Sequence, residues 1–163
     1  MTVVEVVEFT DPWCSWAWGT EPKLRRLRWR WADRCEWRIV MGDLVTDRRS
    51  HDGGFDPVRA APKTAEHWQH VHEHTGMPWP VHLRWTPSLS ADAAHAVKAA
   101  QLQSDGAGRA LLRALRESCF VYAAPADTRE RVLELASTVE GLDAARLADD
   151  VSSSDVDGAF RAD

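Results

Sequence analysis

The sequence predicts an α/β fold that begins with a β-α-β unit and continues as a mostly helical segment. Three features of the 163 residues indicate this. A short run rich in β-branched residues, 3–9, opens the chain, and an alternating run, 36–41, follows a helical pattern. Only helical patterns come after it. Strand, helix and strand in this order are typical of a parallel pair joined by a crossover helix.

The first strand is predicted from Val3 to Phe9. It is short and β-branched, so we expect a largely buried strand. The second strand is predicted over 36–41, where Trp37, Ile39 and Met41 alternate with polar or smaller residues and point to one face.

The helix between the two strands is predicted to be amphipathic. Its apolar face consists of residues at near-helical spacing: Trp16, Leu24, Leu27 and Trp31. Pro22 lies inside this pattern and is expected to kink the helix, because proline lacks a backbone donor.

Five further helical patterns cover residues 63–75, 90–104, 107–122, 128–140 and 143–161. Gly76, Gly106 and Gly141 separate them as stop signals. The domain division predicted is therefore 1–46 for the β-α-β unit and 47–163 for the helical part. A sheet of two strands is marginal in water, so we expect it to be covered by helices, by strands outside this sequence, or by a second chain in a homodimer.

The strongest candidate for chemistry is Cys14, in the segment Asp-Pro-Trp-Cys-Ser-Trp-Ala-Trp-Gly, 11–19. A cysteine in the first turn of a helix lies near unpaired backbone N–H groups, which stabilise the thiolate. Trp13, Ser15 and Trp16 are candidate binding residues, the two tryptophans as the lining of an apolar groove, and Ser15 is also a candidate helix cap. Ala17 occupies the place of the second thiol in a Cys-x-x-Cys motif, so a mixed disulfide on Cys14 has no neighbouring thiol to resolve it.

The segment from Asp11 to Pro22 resembles the active-site turn of the DsbA family of thioredoxin-like thiol oxidoreductases, in particular its FrnE-like cytoplasmic branch. Pro22 matches the proline of the first helix in that fold, and the helical stretch 90–160 resembles the inserted helical domain. The resemblance implies a thioredoxin-like fold and a thiol-disulfide oxidoreductase or isomerase. Two features depart from it: Ala17, and the lack of any proline after Pro125 to serve as the family's cis-proline. The sequence is therefore expected to be truncated before the last strands of that fold.

With a single nucleophilic cysteine, three activities stay open: exchange with an external small thiol, disulfide isomerisation, and retention of a thiol cofactor. The expected substrates are protein or small thiols and disulfides, with no tightly bound cofactor beyond a low-molecular-weight thiol. Cys35 and Cys119 are interpreted as small buried hydrophobes, and either could resolve a mixed disulfide only within about 6 Å of Cys14 between Cα atoms. The alternative function is a non-catalytic adaptor on the same scaffold.

His67, His70 and His74 recur on one helical face and could hold zinc or nickel. A fourth ligand is missing from the pattern, so the sequence favours a solvated face and no metal.

The formal net charge of −5 argues against nucleic-acid binding, although arginines cluster between residues 25 and 34. The sequence has neither a signal peptide pattern nor an apolar run of about 18 residues. We therefore expect a cytoplasmic protein that does not enter membranes.

Overall fold

The structure is a computed structural model and describes residues 3–45, 55–87 and 89–163. These residues form two strands, β1 (Val4–Thr10) and β2 (Cys35–Met41). Their helices, in chain order, are α1 (Ser15–Arg30), α2 (Pro57–Thr75), α3 (Ala91–Gln103), α4 (Asp105–Phe120), α5 (Arg129–Ala136), α6 (Ala144–Asp150) and α7 (Ser154–Ala162). None of the described helices is long and apolar enough to cross a bilayer.

The predicted β-α-β unit is confirmed. The two strands pair in parallel, with Val4 opposite Cys35 and Thr10 opposite Met41, and α1 connects them. The carboxyl ends of both strands therefore lie at one edge, where α1 begins. In the described part of the chain the sheet has no third strand.

The prediction of a largely buried first strand is wrong for most of β1. Val4 is 56% exposed and Phe9 is 76% exposed, whereas Glu8 and Thr10 are buried. In both strands, burial is concentrated toward the carboxyl end. The expectation that other strands or a second chain cover the exposed part of the sheet stays a prediction.

The second strand is buried at its carboxyl end. Ile39 and Met41 are buried as the alternation predicts, and Trp37 is half-buried. Val40 is buried as well, although it points to the face opposite Ile39 and Met41.

The predicted apolar face of α1 is wrong. Trp16, Leu27 and Trp31 are exposed, and the buried residues of this helix are Ser15, Trp18, Gly19 and Glu21. The helix approaches α2 closely at Gly19, where a Cβ would lie 2.6 Å from Thr75 Cγ2. The indole ring of Trp18 then stacks on Phe120 of α4 with ring centroids 5.8 Å apart.

Two of the later helices differ from the predicted patterns. Helix α2 begins at Pro57 rather than 63, because Asp56 caps it by accepting from the N–H groups of Val58 and Arg59, and proline is compatible with a first turn. The single helix expected over 143–161 is two, since Ser153 accepts from the N–H of Val156 and starts α7. Helix α5 also ends early, at Ala136.

One continuous apolar core joins the sheet to the helices. It includes Trp18 and Ile39 from the β-α-β unit together with Trp68, Leu111 and Phe120 from the helical part. The division into residues 1–46 and 47–163 stays a prediction about sequence units, since both share this core.

The contact between α1 and α2 yields a test. A Cβ added at Gly19 would lie 2.6 Å from Thr75 Cγ2, so Gly19→Ala is expected to lower the free energy of unfolding by about 1–3 kcal/mol through overpacking. The matched control is Gly158→Ala in α7, which meets no atom within 4 Å and should raise stability by about 0.5–1 kcal/mol. Chemical denaturation measures both; equal effects at the two glycines would contradict the packing described.

Candidate active site at the start of helix α1

The turn between β1 and α1 is held by the buried carboxylate of Asp11. Its Oδ1 accepts from the N–H of Trp13 at 2.7 Å, and its Oδ2 accepts from the N–H of Leu44 at 2.9 Å. The first bond closes the turn, and the second ties it to the segment after β2. Burial raises the pKa of the Asp11 carboxyl, because desolvation outweighs these two hydrogen bonds.

Cys14 is the N-cap residue of α1. Its backbone is extended, with φ −75° and ψ 108°, and its carbonyl accepts from the N–H of Trp18 at 3.0 Å. The side chain is half-buried. The predicted placement of Cys14 at the helix N-terminus is confirmed, and the positive end of the helix dipole lies there. Ser15 does not cap the helix as predicted, because it is already the first helical residue.

Cys14 lines a cavity of about 600 Å³. Its walls come from the turn, the segment after β2, and α2. Its lining residues are Trp13, Cys14, Ser15, Trp16, Leu44, Val45, Phe55, Ala60, Lys63, Thr64, His67, Trp68, Thr86 and Pro87. The predicted binding residues Trp13, Ser15 and Trp16 are thus all brought together with Cys14.

The two tryptophans play different parts in this cavity. Trp13 is 4% exposed, and its indole N–H donates to the carbonyl of Leu89 at 2.9 Å, so it is a fixed wall. Trp16 is 45% exposed and makes edge contacts with His70 and His74. Its ring therefore belongs, with the exposed Leu44, to the apolar lining that a ligand can reach from solvent.

Helix α2 supplies polar residues that the sequence analysis did not assign to this site. Lys63, Thr64 and His67 face the cavity from the side opposite α1. His67 lies three positions after Thr64 and four after Lys63, the spacings that place it beside both on the helix surface, and this was the only signal in the sequence. Nothing in the sequence indicates that this face turns toward Cys14, because that depends on tertiary packing.

The other two cysteines differ in how they relate to Cys14. Cys35 pairs with Val4 at the amino end of the sheet, whereas Cys14 follows its carboxyl end, about 20 Å away for strands of this length. Cys119 is fully buried in α4, and burial raises the pKa of its thiol well above the ordinary value, which disfavours the thiolate that would resolve a mixed disulfide. All three cysteines are free.

Three of the histidines of α2 occupy two different positions relative to the cavity. His67 faces the cavity, whereas the rings of His70 and His74 lie 4.3 Å apart and pack against Trp16. Among the described residues, no three histidine, cysteine or acidic side chains are grouped so as to hold a metal ion. The three-histidine metal alternative has no support in this geometry.

Comparison with known proteins tests the predicted fold class. A family model described as Thioredoxin matches residues 8–163. Among solved structures, the cytosolic disulfide reductase DsbM from Pseudomonas aeruginosa, determined with GSH, superimposes with a TM-score of 0.74 at 23% identity, over 98% of this chain and 77% of that one. The predicted thioredoxin-like α/β fold is confirmed.

The curated relatives are named as adapter proteins and not as oxidoreductases. The ClpXP adapter protein SpxH of Halalkalibacterium halodurans is 29% identical over 98% of this chain and 53% of its own length. SpxH of Bacillus subtilis is also 29% identical, over 98% of this chain and 52% of its own. The chain thus spans about half the length of the curated relatives it matches.

The buried carboxylate of the turn gives a pH-dependent test. The pKa of Asp11 is higher in the folded state than the ordinary 3.8, so the folded state holds this proton more tightly. Stability contributed by Asp11 must then fall as the pH rises through the range above 3.8. We expect the free energy of unfolding of the unsubstituted chain, minus that of Asp11→Asn, to decrease over this range in denaturant titrations. An increase with pH would show that the fold favours the ionised carboxylate.

Proposed function

This chain belongs to the thioredoxin family, and we propose that it catalyses thiol-disulfide exchange with low-molecular-weight thiols through Cys14 alone. One observation carries the proposal. The half-buried thiol of Cys14 lies at the N-terminus of α1 and lines a cavity of about 600 Å³. A helix N-terminus stabilises the thiolate, which is the form that attacks disulfides.

The reaction proceeds in two exchanges. The Cys14 thiolate attacks one sulfur of a disulfide; a bond from Cys14 Sγ to that sulfur forms, the original bond breaks, and the second sulfur leaves as a thiolate. Because residue 17 is alanine, an external thiolate must then attack the mixed disulfide. That attack releases the Cys14 thiolate and a new disulfide. Electrons balance between the two external partners, so no further oxidant or reductant is required.

The cavity favours a small peptide-like thiol over a folded protein as the partner in the mixed disulfide. Its volume lies within the range of about 300–1,000 Å³ that small-molecule sites occupy. Lys63 supplies a positive charge for a carboxylate, and Thr64 and His67 add hydrogen-bonding groups. The similarity in fold to DsbM, which was solved with GSH, supports this choice of ligand class.

In this proposal the small thiol is a substrate that enters and leaves, and the protein holds no resident cofactor. A reducing compartment such as the cytoplasm would supply the thiol and keep Cys14 reduced. The description of the structurally similar DsbM as cytosolic supports that location.

The second candidate is a non-catalytic adaptor. The names of the curated relatives favour it, because those proteins are ClpXP adapters and align over 98% of this chain. A groove beside α1 offers a surface for a protein partner, with Trp29 84% exposed and Tyr122 69% exposed. In this reading the cysteine is dispensable and partner binding is retained in Cys14→Ser.

Exposure to glutathione disulfide separates the two candidates. We expect one glutathione per chain, attached to Cys14 and lost in Cys14→Ser, while Cys35→Ser leaves the adduct unchanged. Intact mass spectrometry followed by peptide mapping measures both. A chain that stays unmodified although folded would contradict the enzyme and favour the adaptor.

The same assay tests the role of residue 17. In Ala17→Cys a second thiol lies one helical turn from Cys14 and can displace the glutathione, so the adduct should give way to an internal disulfide. An adduct that persists in Ala17→Cys would contradict the geometry on which the single-cysteine cycle depends. Free-thiol counting distinguishes the two products.

Lys63→Gln tests whether the positive charge of Lys63 contributes to ligand binding in the cavity at Cys14. Loss of one charge-assisted contact to a carboxylate should raise the glutathione disulfide concentration needed for half-maximal adduct formation by roughly tenfold. Arg59→Gln is the matched control, since Arg59 lies on the same helix with an exposed side chain and does not line the cavity. Equal effects of the two substitutions would show that only net charge matters.

A further inference from the structure

A second cavity, of about 380 Å³, lies between the sheet, α1 and α4. It shares no lining residue with the cavity at Cys14. Its lining residues are Glu8, Glu21, Arg25, Arg28, Ile39, Arg109, Ala110, Leu112, Arg113 and Arg116. We call it the arginine cavity, because half of these residues are arginines.

The arginine cavity carries an excess of positive charge. Five arginines face two glutamates, which leaves three positive charges uncompensated within the lining. Both carboxylates are already engaged: Glu8 pairs with Arg28, and Glu21 pairs with Arg113 at 2.9 Å and with Arg116 at 3.5 Å. Outside the lining, Glu117 also pairs with Arg113, which reduces the excess to two positive charges.

Two arginines on the rim supply most of this excess. Arg25 is exposed on α1 and forms no ion pair with a described carboxylate. Arg109 on α4 has only a contact of 3.8 Å with Asp105, one turn earlier on the helix surface. Such an exposed pair at helical spacing contributes little, so both guanidinium groups are available to another anion.

Two of the lining guanidinium groups are buried and incompletely paired. The side chain of Arg116 is 2% exposed; its terminal nitrogens contact Glu21 and Thr10, but among the described residues its Nε has no hydrogen-bond partner. The Nε of Arg28 likewise has no described acceptor. Both Nε atoms are themselves inaccessible to solvent, so a ligand in the cavity is expected to contact the exposed guanidinium groups of the rim.

We propose that the arginine cavity binds a small molecule that carries a phosphate-type dianion. Guanidinium groups approach from α1 on one side and from α4 on the other, and a tetrahedral dianion offers oxygens in all of these directions. A planar carboxylate carries a single charge and fewer acceptor directions. The arginine cavity shares no lining residue with the cavity at Cys14, and this proposal goes beyond the proposed thiol chemistry.

The test is isothermal titration of the 163-residue chain with inorganic phosphate and with glycerol 3-phosphate, at an ionic strength held constant with sodium chloride. We expect saturable binding with a stoichiometry of one. Tighter binding of glycerol 3-phosphate would identify a phosphomonoester as the ligand class, and equal binding would identify free phosphate. Arg25→Gln and Arg109→Gln should each weaken binding by roughly tenfold.

Arg26→Gln is the matched control. Arg26 is the neighbour of Arg25 on α1, is exposed, and does not line the arginine cavity. It removes the same charge and should leave binding unchanged within about twofold. Absence of saturable binding, an equal effect of Arg26→Gln and Arg25→Gln, or tighter binding of succinate than of phosphate would each overturn the proposal.

Discussion

The position of Cys14 depends on the buried carboxylate of Asp11. One oxygen of this carboxylate fixes the turn through Trp13, and the other holds Leu44, which follows the second strand. The carboxyl ends of both strands are thereby joined at the point where α1 begins. Since a helix N-terminus acts only on groups within its first turn, a shift of this turn would remove the thiol from the helix dipole. The cavity wall formed by Leu44 would shift with it.

Ion pairs and packing join the helical part to the β-α-β unit. Glu21 on α1 is buried, yet it is held by Arg113 and Arg116 of α4, so its charge is compensated. Loss of one partner from a buried ion pair strongly destabilises the folded protein, because the other charge is left buried and unpaired. These pairs therefore fix the relative placement of α1 and α4. Because α2 packs on the same helix through Gly19, the wall that carries Lys63 is also fixed relative to Cys14.

Local signals in the sequence predicted the strand order, the helix after Cys14 and the absence of a neighbouring thiol. They failed where tertiary packing determines which residues are buried and which line the site. The apolar spacing of Trp16, Leu27 and Trp31 predicted a buried face, but a small residue, Gly19, selects the face that packs. Whether Lys63 lines the cavity at Cys14 also depends on how α2 packs against α1, and the periodicity of the sequence does not encode this packing. Pro57 concealed the start of α2, because a proline at the first helical position is compatible with a helix.

In the proposed function, the position of Cys14 at the N-terminus of α1 makes it a nucleophile. The rate of its alkylation by iodoacetamide, resolved by mass for each cysteine, tests this about two pH units below the range where free thiols ionise. We expect Cys14 to react faster in the folded chain than in the chain unfolded by urea, and Cys119 to react only after unfolding. A slower reaction of Cys14 in the folded chain would show that the helix N-terminus does not stabilise its thiolate.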